Sequence, residues 1–328
     1  MTEPTKMMVY AAGGAGINIA SYFEKFRNIA EAGLAQVEPV YLDTSSSNIT
    51  QSLNKNFVYT VDGLDGSGKV RAENHERISE CVLEILQKFK PSDFNIVLSS
   101  ASGGSGSVIA PSLVSELLKR DIPVVVITIG STDSKIELIN TVRTLKSYEA
   151  ISRLRNSPVI SMYYENSKET NRKEVDARAR ISISALAAIF CGTNRELDSS
   201  DLKNWLKYTK VTSFDAALSY LDFYDKETMP KDKGLHVISV ATLATEASDT
   251  TISTPVDYQC IGYSTENNVG LLSADVSFHG AIVAGMFNNI FARLSKTLDE
   301  LEEAQKARKA QSSILSNSDN PTGSGLVL

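Results

Sequence analysis

Two glycine-rich loops, Ala12-Gly13-Gly14-Ala15-Gly16 and Ser102-Gly103-Gly104-Ser105-Gly106-Ser107, constrain the fold of this chain more than any other feature. Each follows an apolar run that reads as a buried strand, and each precedes a helical pattern. Such loops turn several backbone N–H groups toward one small volume, and the positive end of the following helix adds to the attraction for phosphate. Two of them at the carboxyl ends of parallel strands would grip one polyphosphate from both sides. A flexible Gly/Ser linker has no need of that context.

The flanking pattern is that of a layered α/β protein. Residues 7–11, 40–42, 57–59, 95–98 and 124–129 read as strands, with helical apolar spacing from 17–26, 78–89 and 108–118 between them. The run at 124–129 is almost wholly β-branched, as expected of a strand covered on both faces. This alternation predicts a doubly wound, mostly parallel sheet. A sixth strand is expected at 159–163 and one long central helix at 175–190, ended by Gly192 as a C-terminal cap. Beyond it, 235–243, 258–263 and an alternating stretch at 271–278 read as strands of a smaller α+β domain. Helix is expected again from near Ile282. The resulting division is 1–174 for the nucleotide-binding domain, 175–192 for the central helix, 193–281 for an acidic loop and the second α+β domain, 282–311 for a C-terminal helix and 312–328 for a flexible tail.

Composition narrows the functional classes. The 328 residues suggest about two domains, and 42% hydrophobic content suffices for packed cores. With 33 Lys and Arg against 39 Asp and Glu, the net charge of −6 gives no footprint for nucleic acid or an anionic bilayer. Cys81, Cys191 and Cys260 are widely separated, so neither a disulfide framework nor a zinc site is indicated. A reducing cytoplasm fits, and neither export nor membrane insertion is expected.

Several motifs admit more than one reading. Gly14-x-Gly16 with Asp43 at the end of the next strand suggests a dinucleotide fold, but the third small position of that fingerprint falls on Ile19. The stretch Gly63-Leu64-Asp65-Gly66-Ser67-Gly68-Lys69-Val70 has P-loop spacing until Val70, which has no hydroxyl for magnesium. It reads either as a surface loop or as a segment touching a terminal phosphate. Ser105 has no evident partner among His75, His236 and His279, which argues against a Ser/His hydrolase. Asn166 and Asp176 suit a purine reader, because a carboxylate can accept from guanine N1–H and its exocyclic amine. Asp176 also reads as an acid opposing a helix dipole. In Glu196-Leu197-Asp198-Ser199-Ser200-Asp201 the spaced acids are either catalytic or caps of the next helix.

Together these residues resemble the tubulin/FtsZ superfamily of polymerising GTPases, and within it most the phage tubulins (PhuZ-like), over nearly the whole chain. Ala11-Ala12-Gly13-Gly14-Ala15-Gly16-Ile17-Asn18 resembles the family's first nucleotide loop. Ser102-Gly103-Gly104-Ser105-Gly106-Ser107-Val108 resembles the tubulin signature in its phage form, GGGSGSV, and Leu197-Asp198-x-x-Asp201-x-x-Asn204-Trp205 resembles the phage catalytic loop. The resemblance implies that Gly13, Gly14, Ala15, Asn18, Gly103, Gly104, Ser105, Gly106 and Ser107 hold GTP or GDP, with Gly66 and Gly68 sensing the terminal phosphate. It further implies that Asp133 contacts ribose, that Asn166 and Asp176 read guanine, and that Mg²⁺ is held by phosphate and water with no protein ligand.

By the same resemblance, subunits associate head to tail, and Asp198 and Asp201 of one subunit act on the GTP of its neighbour. The filaments would position phage DNA in the host bacterial cytoplasm. Two departures stand out: Ser102 replaces the first signature glycine, and the tail has Asp319 as its sole acid where phage relatives carry a strongly acidic one. A tail contact to the neighbouring subunit would then rest on Leu326-Val327-Leu328 or on backbone pairing, with simple disorder as the alternative. The alternatives to a GTPase are a scaffold filament that binds nucleotide without hydrolysis and, third, a Rossmann-type oxidoreductase.

Overall fold

The computed structural model describes residues 5–27, 33–61, 75–264 and 277–316. Its strands are β1 (Lys6–Ala12), β2 (Gln36–Asp43), β3 (Val58–Thr60), β4 (Phe94–Ser100), β5 (Val124–Ser131), β6 (Val159–Asn166), β7 (Leu218–Tyr224), β8 (His236–Ala244), β9 (Tyr258–Tyr263) and β10 (Phe278–Ala284). The helices are α1 (Gly13–Ala20), α2 (His75–Lys88), α3 (Gly106–Lys119), α4 (Lys135–Arg155), α5 (Arg172–Ile189), α6 (Ser199–Leu206) and α7 (Met286–Ser316).

Among the described residues ten strands form one sheet in the order β3-β2-β1-β4-β5-β6-β7-β10-β8-β9. Pairing is parallel from β3 through β7, and β10 runs antiparallel to both β7 and β8. The expected α/β architecture is therefore present, and the strands of the second half extend the same sheet through the β6–β7 pairing. Chain order reverses direction between β1 and β4, the kind of switch point beside which open parallel sheets bind ligands.

Alternation of side chains sends Met7, Val9 and Ala11 to one face and Met8, Tyr10 and Ala12 to the other. The first face is covered by α1, α5 and α6, and the second by α2, α3, α4 and α7. Every residue of β5 is buried, which explains its unbroken apolar character. Gly192 takes φ +73°, and a Cβ there would lie 2.4 Å from Thr5 Oγ1, so a glycine is required just beyond α5.

Three elements differ from the sequence reading. Helix α4 was not expected, because its buried side carries Glu137, Asn140, Thr141, Thr144 and Ser152 beside Leu138, Leu145 and Tyr148. A helix whose inner face is polar shows no apolar stripe. Its start is nonetheless written in the sequence: Ser134 accepts from the Glu137 N–H, and Ser-x-x-Glu is a capping pattern. Strand β7 was also unexpected. Finally, Ile282 belongs to β10 rather than to the last helix; Gly285, at φ +87°, turns the chain from β10 into α7 at Met286. The run Ala281-Ile282-Val283 is fully buried, and burial on both faces hides the strand period. Of the expected 271–278 strand, 271–276 lie outside the described residues, as does the end of the tail.

The carboxyl end of α5 is fastened under the sheet by Phe190, whose ring stacks on Phe94 at 4.1 Å with an interplanar angle of 4°. Both rings are buried. Phe190→Ala is expected to destabilise the protein by about 3–5 kcal/mol, measured as a lowered midpoint in urea unfolding.

Candidate functional site

The two glycine loops meet at the switch point. A Cβ on Gly106 would lie 2.5 Å from the Ala12 carbonyl oxygen, and one on Gly13 2.9 Å from the Gly106 amide nitrogen. Gly13 also has φ +74°. These contacts bring the amino ends of α1 and α3 side by side, and neither helix has a side-chain cap. Two helix starts without side-chain caps, side by side, make the kind of positive environment that attracts phosphate. Ser102 is accommodated without a left-handed backbone, and its N–H donates to Ser100 Oγ at 3.3 Å.

Around these termini lies a cavity of about 730 Å³ at the carboxyl edge of the sheet, a size ordinary for a small-molecule site. Gly13, Gly14, Ala15, Asn18, Gly103, Gly104, Ser105, Gly106, Asn166 and Asp176 all line it, from α1, the loop between β4 and α3, the start of α3, the end of β6 and the first turns of α5. Two positions expected in the site are elsewhere. Ser107 is buried and donates to the Gly104 carbonyl at 2.9 Å, closing the loop from behind rather than lining the cavity. Asp133 is exposed and does not line the wall; its N–H donates to Ser131 Oγ at 3.2 Å. Gly66 and Gly68 lie outside the described residues.

Asp43, singled out in the sequence only under a dinucleotide reading, lines the wall. It accepts from the Thr44 N–H and from Asn48 Nδ2, both at 2.7 Å, and the Asn48 amide in turn sits where a Cβ on Gly14 would reach 2.9 Å. Asn48 and Glu137 are lining residues that the sequence reading missed. Glu137 accepts from Ser131 Oγ at 3.0 Å and supplies a carboxylate at the wall where Asp133 was expected. The polar face of α4 also braces the second glycine loop: Asn140 donates to the Ser102 carbonyl at 3.2 Å and Thr144 to the Ala101 carbonyl at 3.0 Å. The signal for Glu137 was its place three residues after a capping serine.

At the far end of the cavity Asn18 Nδ2 donates to Asp176 Oδ2 at 2.8 Å. Burial holds the Asp176 carboxyl above the ordinary aspartate range, against the opposing pull of Arg180, the Asn18 bond and Arg172. Asn166 Oδ1 is buried with no protein partner. An orphaned acceptor and a carboxylate lining the same cavity are what a donor edge of a base would satisfy. Among the described residues no group of three or more His, Cys, Asp or Glu could hold a metal ion.

Asp198 and Asp201 are not in the cavity. Asp198 Oδ1 accepts from the Ser200 and Asp201 N–H groups at 2.7 and 2.9 Å, while Asp201 Oδ2 accepts from the Asp198 N–H at 3.2 Å. The helix-capping reading of these acids therefore holds within the subunit. Helix α6 lies under the amino edge of the parallel sheet: Lys203 is 3.9 Å from Asp93, just before β4, and Lys207 donates to Asp121, shortly before β5. Cavity and acids thus occupy opposite ends of strands seven or eight residues long, about 25 Å apart along the strand direction.

A parallel α/β sheet with two uncapped helix starts interlocked at its switch point, continued by a mixed four-strand extension, defines a tubulin-type nucleotide-binding protein. Residues 6–171 match the Tubulin/FtsZ family, GTPase domain, and the chain belongs to that family. A phage tubulin-like protein of Pseudomonas phage PhiPA3 is 29% identical over 98% of this chain and 99% of its own. The protofilament structure of TubZ from bacteriophage PhiKZ is 27% identical, with a TM-score of 0.82 over 98% of this chain and 96% of that one. The structure of the phage tubulin PhuZ with GDP shares the fold at a TM-score of 0.82 and 21% identity, over 93% of each chain. No helix among the described residues is long and apolar enough to cross a membrane.

The interlock gives a direct test. Gly106→Ala is expected to destabilise by about 1–3 kcal/mol through overpacking, whereas Gly103→Ala, whose Cβ meets nothing closer than 3.8 Å, should change stability by about 0.5 kcal/mol or less. Thermal unfolding of the two variants in parallel checks the difference.

Proposed function

We propose that this protein is a GTPase that polymerises head to tail, each GTP being hydrolysed at the seam between consecutive subunits. One observation carries the reading: the nucleotide-type cavity and the paired acids Asp198 and Asp201 sit on opposite edges of one sheet. Neither can serve the other within a subunit, while a longitudinal neighbour presents its amino edge to the cavity. Phosphoryl transfer gains mainly from positioning and charge stabilisation, so the uncapped amides of α1 and α3 supply the electrostatic part and the neighbour's carboxylates orient the attacking water. Mg²⁺ is assigned to phosphate oxygens and water.

Asp176, Asn18 and Asn166 read the guanine. Helix α7 supports a tail contact to the next subunit. Its Arg293 pairs with Glu165 near the carboxyl end of β6, and Glu302 pairs with Lys135 at the start of α4. Residues 303–308 are then exposed past that edge, so the helix leads toward the neighbour that would cover the cavity. The phage relatives support a cytoskeletal role in the host cytoplasm, and we assign to it the positioning of phage DNA. The capping box favours one second reading, a filament that binds GTP without hydrolysis, because both acids already have local partners.

Two measurements decide these points. Asp198→Asn keeps the cap acceptor while removing the charge, and Asp201→Ala removes the second carboxylate. Both variants should bind GTP and form filaments while phosphate release falls about 10²-fold, and wild-type turnover per subunit should rise above a threshold protein concentration. Wild-type rates in both variants would return the acids to a capping role. The pH dependence of GTP binding follows from Asp176, which accepts from guanine only when ionised. Its raised folded-state value means that affinity is full at neutral pH and is lost as pH falls through a midpoint above the ordinary aspartate range. Titration calorimetry across mildly acidic pH, with Asp176→Asn as the flat control, checks this.

A further inference from the structure

The acids of the amino edge are carried by a connection between α5 and α6 that is held at several points, three of them on a single strand, β9. Asn194 Nδ2 first donates to the Ala188 and Ile189 carbonyls at 2.9 and 3.2 Å, closing the end of α5. Arg195 and Tyr263 then exchange two backbone hydrogen bonds, each 2.9 Å. Glu196 follows with φ +63°, a left-handed turn at an exposed non-glycine residue. That turn drives the Leu197 side chain, buried, onto the bare backbone of Gly262. A Cβ at Gly262 would lie 2.7 Å from Leu197 Cβ and 2.8 Å from its Cδ2. One turn of α6 later, Tyr258 Oη donates to Asp201 Oδ1 at 3.4 Å.

Only the middle contact is steric, and only it sits next to Asp198 in sequence. We propose that Leu197, seated in the notch left by Gly262, is a positioning residue that sets where Asp198 and Asp201 stand on the amino edge. The inference rests on the reading that these acids act on a neighbour's GTP. Gly262 needs no left-handed backbone, so its lack of a side chain is explained by the Leu197 contact and not by its own conformation. The notch is formed by the extension of the sheet, whereas the cavity is formed by its parallel half. A change at the notch therefore moves the acids without touching the nucleotide site of the same subunit.

The test compares Gly262→Ala, Leu197→Ala and the volume-conserving Leu197→Met with wild type. For each full-length protein, GTP affinity, filament mass by sedimentation, melting temperature and phosphate release per polymerised subunit are measured. Gly262→Ala pushes Leu197 out and Leu197→Ala empties the notch. In both, kcat per polymerised subunit should fall at least about tenfold with GTP affinity within about twofold of wild type, while Leu197→Met keeps a near-normal rate. Should Gly262→Ala fail to fold, Leu197→Ala carries the same expectation. Wild-type turnover in Leu197→Ala overturns the inference, as does a loss of turnover matched by loss of GTP affinity or shared by Leu197→Met. If Asp198→Asn is slow in the same assay, only the positioning role has failed; if Asp198→Asn is itself fast, the seam reading has failed beneath it.

Discussion

The structure depends on the close approach of two backbones at the sheet's switch point. Gly106 lies against the Ala12 carbonyl and Gly13 against the Gly106 amide, at separations that leave no room for a Cβ. This contact fixes the amino ends of α1 and α3 relative to each other, and with them two sets of uncapped N–H groups aimed into one cavity. Electrostatic preorganisation of that kind is worth most when the donors are already in place before charge arrives. The polar inner face of α4 belongs to the same device. Asn140 and Thr144 donate to the carbonyls of Ser102 and Ala101 and so hold the entry of the second glycine loop in place.

A second constraint is the direction of α5. It starts at the cavity with Arg172 and Asp176 and ends under the amino edge, where the Ala35 N–H donates to the Ala187 carbonyl just before β2. Eighteen helical residues span about 27 Å, which matches the length of the neighbouring strands. The helix thereby links the Asp176 end of the cavity to the segment that bears Asp198 and Asp201. In the proposed filament the same rod runs from one seam to the next. A subunit can then sense nucleotide at one edge and present carboxylates at the other through a single packed element.

Much of this was legible before any coordinates. Strand β9 falls where the sequence reading placed a strand at 258–263, and the parallel half follows the strand readings at 40–42, 95–98 and 124–129. Gly13, Gly14, Ala15, Gly104, Ser105 and Gly106 were found from loop context alone and all line the cavity. What escaped was hidden by burial chemistry rather than by weak pattern. Helix α4 packs polar residues inward, β10 is apolar on both faces, and the wall acid Glu137 stood in a helix start that gave no hydrophobic signal. Asp133 looked equivalent by position, yet its side chain is exposed while Glu137 is buried at the wall.

The sequence by itself determined the local chemistry: which loops lack side chains, which strands are covered twice, and that two acids three residues apart begin a helix. These follow from properties of neighbouring residues, because glycine freedom, apolar period and capping act over a few positions. The tertiary structure alone decided distances between parts far apart in the chain. It placed the two glycine loops in contact across the switch point, chose Glu137 over Asp133 for the cavity wall, and set Asp198 and Asp201 at the edge opposite the cavity. Those outcomes depend on strand order and on the direction of α5, which packing fixes only when the whole sheet has assembled.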